Sequence, residues 1–181
     1  VKHVMKNGKL VVENSKYIFF YETPEKKIKV RHSMNVKWLQ KEDFSIELKG
    51  SKINVIGIVP EQLVTKKVTA KPKLENGFAV SDIERDFIKI AVIERHYASG
   101  NIGLGFVKGL GMKKGAIASS VAHDSHNLLV AGVNDDDMLA AAVHIIKTGG
   151  GLCCVSEGEV LADLPLPIAG LMSEEPIESV N

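Results

Sequence analysis

The chain has 181 residues, 45% of them hydrophobic, and a formal net charge of +1. That suits one ordinary domain with a real core, or one domain with an appended piece, and argues against wholesale disorder. It removes any global electrostatic case for binding nucleic acid or a membrane surface, and no apolar run approaches the roughly 20 residues of a membrane span.

The near-neutral total hides a division. Residues 1–75 hold 16 Lys and Arg against 8 Asp and Glu, whereas residues 76–181 hold 7 against 14. Glycine splits at the same place, 3 before and 13 after. Two parts of different character therefore meet near Pro72–Gly77. The chain opens on Val1 with no charged-then-apolar leader, so it is expected to be a processed or excised piece of something longer.

Taken in chain order, residues 1–31 read as short strands around the Asn7-Gly8 hairpin signal, which needs a sheet partner to be stable. Residues 32–49 suggest a strand-loop-strand passage ending in the alternating Phe44-Ser45-Ile46-Glu47-Leu48. INVIGIV (53–59) is a strand stopped by Pro60, and the basic 65–73 stretch is a loop or a charged edge strand. IKIAVI (88–93) is apolar on both faces in all but one position, which suits a central strand. GNIGLGFVKGLGMKKG (100–115) reads as a glycine-rich connection. It lacks the spacing of a dinucleotide fingerprint or a P-loop, so close packing or tight turns account for its glycines.

Residues 116–121 and 128–133 are two more strand-like runs. Asn134 or Asp135 then caps a helix with an apolar stripe of Met138, Ala141, Ala142, Ile145 and Ile146, ended by Gly149-Gly150-Gly151. Residues 152–156 and 159–161 pair across Glu157-Gly158. A proline-stiffened segment, LPLPIAGLMS, and an acidic tail follow. The adjacent Cys153 and Cys154 should point to opposite faces of a strand as reduced thiols. Together these elements predict an α+β fold, mostly antiparallel sheet with packed helices, preceded by a small β-rich segment.

Two constellations could carry chemistry. SSVAHDSHN (119–127) concentrates His123, Asp124, His126 and Asn127 between apolar runs. Three readings stay open: a turn whose Asp and Asn bond their own backbone, an acid/base or ligand-binding group, and a metal site. Three ligands in one tight turn rarely complete a metal centre. Asp82, Asp86, Glu94, Arg95 and His96 form the second group, placed where polar residues often line a crevice beyond a strand end. A structural ion pair from Arg95 to Glu94 or Asp86 is the plainer alternative. Ser119 or Ser120 could serve His123 as a nucleophile, but no Gly-x-Ser-x-Gly elbow surrounds them.

The run DFIKIAVIERHYASGNIGLGFVKGLGMKKGAIASSVAHDSHNLLVAGVNDDDM, with GGG (149–151) and LADLPLPIAGLMS (161–173), resembles the C-terminal region of microbial adenine deaminases of the amidohydrolase superfamily. VKHVMKNGKLVV resembles the strands that rejoin the small β domain after the barrel, and RHSMNVKWLQKEDFSI the link that follows. The resemblance implies domains at 1–31 and 32–181. It also implies hydrolysis of adenine to hypoxanthine and ammonia, in cytoplasmic purine catabolism, by a metal-activated hydroxide. Manganese or iron would sit in an upstream barrel that 181 residues cannot supply, so no metal ligand is assigned here and the isolated chain is expected to be inactive.

Within that resemblance, His123, Asp124 and His126 are candidate catalytic residues. Asn127, Ser120, Glu94, Arg95 and His96 are candidate substrate-binding residues. Adenine, the barrel domain and further copies of the chain are the expected partners, with no nucleic acid and no membrane. The competing expectation is a non-catalytic interaction domain with a structural HDSHN turn.

Overall fold

The computed structural model describes residues 1–19 and 33–180. The latter part of the 1–31 segment, and the Arg31-His32 start of the linking stretch, lie outside them. β1 (His3–Lys6), β2 (Lys9–Glu13) and β3 (Lys16–Tyr17) form a three-stranded antiparallel sheet. Asn7 (φ 52°) and Gly8 (φ 73°) make its first turn left-handed at both central positions, as the Asn-Gly signal requires. Apart from half-buried Val11 and Val12, its residues are exposed, so this sheet has no apolar core of its own.

The remaining strands include β4 (Ile46–Glu47), β5 (Ile53–Ile58), β6 (Thr65–Ala70), β7 (Lys73–Glu75) and β8 (Phe78–Val80). They continue with β9 (Phe87–Ile93), β10 (Ile102–Lys108), β11 (Ala116–Ser119), β12 (Leu128–Gly132), β13 (Gly151–Ser156) and β14 (Glu159–Pro165). Eight of them make one sheet in the order β14-β13-β11-β12-β9-β10-β5-β6. Every pairing in it is antiparallel except β5 with β10. β4, β8 and β7 form a second, three-stranded sheet. The large sheet draws strands from both the basic and the acidic part, so the change in composition does not divide it.

One face of the large sheet is covered. α1 (Asp135–Thr148) lays Met138, Ala141, Ala142 and Ile145 against Ala91, Ile93, Ala116, Ala118, Leu128, Val130, Cys153 and Val155. Its start is capped by the Asn134 side chain, which accepts the Asp137 N–H at 2.8 Å, and Gly149 ends it in the left-handed conformation. Beyond the helix, Phe44 and Leu39 join this core from the 33–45 segment, and Ala79 and Ile46 pack with Val55, Phe87 and Phe106. Lys89 stands on this face, buried, with Nζ donating to the Phe44 carbonyl (2.9 Å) and to Asp135 Oδ1 (2.6 Å).

Three expectations need correction. The glycine-rich run is not a connection alone: it contains the seven-residue strand β10, paired along its whole length with β9. Residues 33–45 hold no first strand but an extended passage and a 3-10 turn at Lys41–Phe44, before the two-residue β4. Packed helices is also too strong a description. Among the described residues there is α1 and the four-residue α2 (Ile177–Val180).

Candidate functional site

Antiparallel pairing of β9 with β12 aligns Ile93 with Leu128, so residues 94–101 emerge beside residues 120–127. Glu94, Arg95 and His96 are thus neighbours of the HDSHN turn at one end of the sheet, whereas Asp82 and Asp86 precede β9 at its other end. Arg95 links its loop to the turn. It is only 2% exposed, and its guanidinium donates to the carbonyls of His126, Ser33 (3.0 Å) and Ala169 (3.1 Å). Burial lowers its pKa from the ordinary arginine value. Neither proposed ion pair of Arg95 forms among the described residues. Asp86 instead accepts the N–H groups of Gly109 (2.7 Å) and Gly111 (2.9 Å).

Glu94 organises its own loop. Its carboxylate accepts the N–H and hydroxyl of Ser99 and the N–H groups of Tyr97 and His96. These donors, the Ser99 N–H foremost, hold its pKa down at about 2 against an ordinary 4.5. Folding therefore favours the ionised form. That contribution is complete above the ordinary value and vanishes as pH falls through about 2. Glu94→Gln should lower Tm at neutral pH, with the two melting curves converging from pH 4.5 toward 2. A difference independent of pH over that window would show that the charge does not anchor the loop.

The HDSHN turn is held by its backbone. His126 N–H donates to the Ala122 carbonyl (2.6 Å), and the Ser125 carbonyl meets His96 Nε2 at 3.0 Å. Asp124 (φ 72°) and His126 (φ 48°) both occupy the left-handed region, a costly choice for residues that are not glycine. Ser120 is fully buried. Its hydroxyl donates to the Gly170 carbonyl (2.6 Å) and accepts the Gly151 N–H (2.8 Å), which leaves it no freedom to act as a nucleophile.

In the turn the Ser125 hydroxyl accepts the Asn127 N–H (3.4 Å), and the other side chains are uncommitted. The side chains of His123 and Asp124 are exposed and make no hydrogen bond or ion pair among the described residues. His126 Nδ1 and Asn127 Oδ1 are buried atoms without a partner among the described residues, an expensive state for polar groups. Among the described residues, no group of three or more His, Cys, Asp or Glu side chains could hold a metal ion, so the turn does not fit one. A groove of about 570 Å³ lies elsewhere, on the uncovered face of the sheet. Sequence reasoning did not find Ser33, Ala169 and Gly170. They act through backbone carbonyls, which leave no mark on residue type.

Fold and site define an antiparallel-sheet α+β domain whose polar groups collect at one end of its central strands. The family model described as "Adenine deaminase C-terminal domain" matches residues 62–181. The chain is 48% identical to "Adenine deaminase 2" of Carboxydothermus hydrogenoformans over 181 residues, covering 99% of this chain and 31% of that protein. It is 44% identical to "Adenine deaminase" of Methanothrix thermoacetophila, with the same two coverages. A third relative, "Adenine deaminase" of Desulfatibacillum aliphaticivorans, is 52% identical over 139 residues, 77% of this chain and 24% of that protein. The chain belongs to the adenine deaminase C-terminal domain family, and spans about a third of the length of the relatives it matches along its whole length.

Proposed function

We propose that the chain is the C-terminal part of an adenine deaminase, which hydrolyses adenine to hypoxanthine and ammonia, and that its HDSHN turn borders the purine pocket. The names of the relatives support the reaction. The observation that carries the role of the turn is the pair of buried, unpartnered atoms His126 Nδ1 and Asn127 Oδ1. Adenine offers an amino donor and ring-nitrogen acceptors, which an amide oxygen and an imidazole N–H can pair. His123 and Asp124 stand free beside them to bind the base or exchange a proton. The barrel held by the rest of the polypeptide would supply the manganese or iron and the water it activates.

In this reading Arg95, His96 and Glu94 set the position of the turn rather than touch the base. The enzyme works in the cytoplasm as a homo-oligomer. No described helix is long and apolar enough to cross a membrane, and both cysteines are free thiols. The test is His123→Ala and His126→Ala in the longer polypeptide, measuring turnover and bound metal. Turnover falling at least tenfold with metal and fold retained is the expected result. Unchanged kinetics in both variants would leave the competing reading, a non-catalytic interaction domain. The observation favouring that reading is that Glu94, Arg95 and Ser120 already spend their polar atoms on the protein itself.

A further inference from the structure

The large sheet has a second face that nothing among the described residues fully covers. Its strand positions are Ile56 and Ile58 on β5, Gly103, Gly105 and Val107 on β10, and Ile88, Ile90 and Val92 on β9. They continue through Leu129 and Ala131 to Ile117, Leu152, Cys154 and Leu164. Ile117 is 39% exposed and Cys154 is exposed, whereas Leu110 and Met112 of the loop after β10 shelter only Ile88, Val107 and Ala131. An antiparallel sheet with one face in water carries polar residues on that face. On these seven strands the only charged side chain there is Glu159, at the start of β14, and Asn54, Ser119 and Ser156 are the other polar ones. Asp163, also on β14, is turned to the helix side, where His144 Nε2 meets its Oδ2 at 2.8 Å.

Two details describe what covers the face. Gly103 and Gly105 stand in mid-strand with room for a side chain, since an added Cβ would meet nothing nearer than 4.0 Å and 3.9 Å respectively. Their own fold does not require them, and glycine in a strand interior marks a close approach by another backbone. The second detail is charge. Lys67 on the outer strand β6 pairs with Ile56, and the cross-strand register runs from there through Val107 and Ile88. The Val133–Gly115 hydrogen bond continues the row to Ser156 and Glu159 on the opposite outer strand. A free lysine and a free glutamate therefore end one row of the sheet, at its two edges and at one height. Neither makes an ion pair among the described residues.

From this we infer that the uncovered face is the contact between two copies of the chain, stacked sheet on sheet about a twofold axis parallel to the strands. That axis exchanges the two edges while keeping the height. It sets Lys67 of each copy over Glu159 of the other and closes the apolar floors between them. The inference rests on the homo-oligomer reading above, and names its surface. It leaves the HDSHN end of the strands free for the rest of the polypeptide.

Sedimentation equilibrium of the unaltered chain, in 50 mM and 500 mM salt, tests it first. A dimer is expected, weaker at high salt. Ile117→Lys should give a folded monomer by circular dichroism. Lys67→Glu should weaken the dimer at least tenfold, and adding Glu159→Lys should restore it. Alkylation of Cys154 in the unaltered chain should slow as protein concentration rises. Cys153 stays silent in this assay, because burial pushes its thiol up to about 11. A chain that stays monomeric at 100 µM would overturn both the oligomer and the face, and point to the rest of the polypeptide as the cover. A dimer that ignores Ile117→Lys and leaves Cys154 equally reactive would overturn the face alone.

Discussion

Replacing Arg95 by methionine should cost about 3 to 5 kcal/mol of stability, because three partly buried carbonyls lose their donor at once. Methionine keeps much of the stem volume, so the loss reports the guanidinium and not a cavity. The three acceptors belong to segments far apart in the chain, at Ser33, His126 and Ala169. No carboxylate among the described residues shares the site, so the planar fork is used here as a spacer between backbone oxygens. Arg95→Lys should recover only part of the stability, since one ammonium cannot span the same three positions. Urea denaturation of the three proteins decides it. A loss below about 1 kcal/mol for the methionine variant would mean that the carbonyls find other donors.

The second large effect is expected at Gly150. Its φ is +119°, and an added Cβ would drive into the Gly170 Cα and stand 3.1 Å from both the Leu166 carbonyl and the Ser120 hydroxyl. Gly170 is itself pressed against Arg95, with the guanidinium only 3.0 to 3.1 Å from where its own Cβ would be. Gly150, Gly170 and Arg95 thus form a stack with no space for a methyl group. Gly150→Ala should cost about 3 kcal/mol or more, combining backbone strain with overpacking. Gly158→Ala separates the two terms, because Gly158 has φ +78° and an open surround. That variant should cost about 1 kcal/mol, from the left-handed conformation alone. Equal losses in chemical denaturation would show that the close approach is unimportant.

Legibility from sequence followed the strength of local patterns. Asn7-Gly8 gave away the first hairpin, and IKIAVI, apolar on both faces in all but one position, marked β9 as central. Asn134 and the triple glycine bounded the helix to within a residue. Cys153 and Cys154 did fall on opposite faces. β10 was hidden because Gly103 and Gly105 erase the alternation that identifies a strand, and only its pairing with β9 restores it. The 33–45 segment is held by tertiary contacts, Phe44 and Leu39 in the core and Asn35 N–H on the Arg95 carbonyl, none of which has a local period. At the site, the HDSHN turn stood out by composition. What sequence could not express was that β9–β12 pairing would carry Glu94, Arg95 and His96 to its side. Nor could it show that their bonds would go to backbone atoms.

Lys89 has a consequence for how uniquely the chain folds. A strand apolar on both faces can slide by one residue with little loss of buried area, and such a slip exchanges its two faces. β9 is that kind of strand, and it lies between β10 and β12 in the middle of the sheet. A slip would carry the Lys89 ammonium onto the middle of the opposite face, where its neighbours are apolar, while stranding Asp135 and the Phe44 carbonyl on the other. Each of those burials is costly without its partner. One lysine thus distinguishes the correct alignment from its nearest competitors, a choice that the surrounding hydrophobic side chains leave almost undecided.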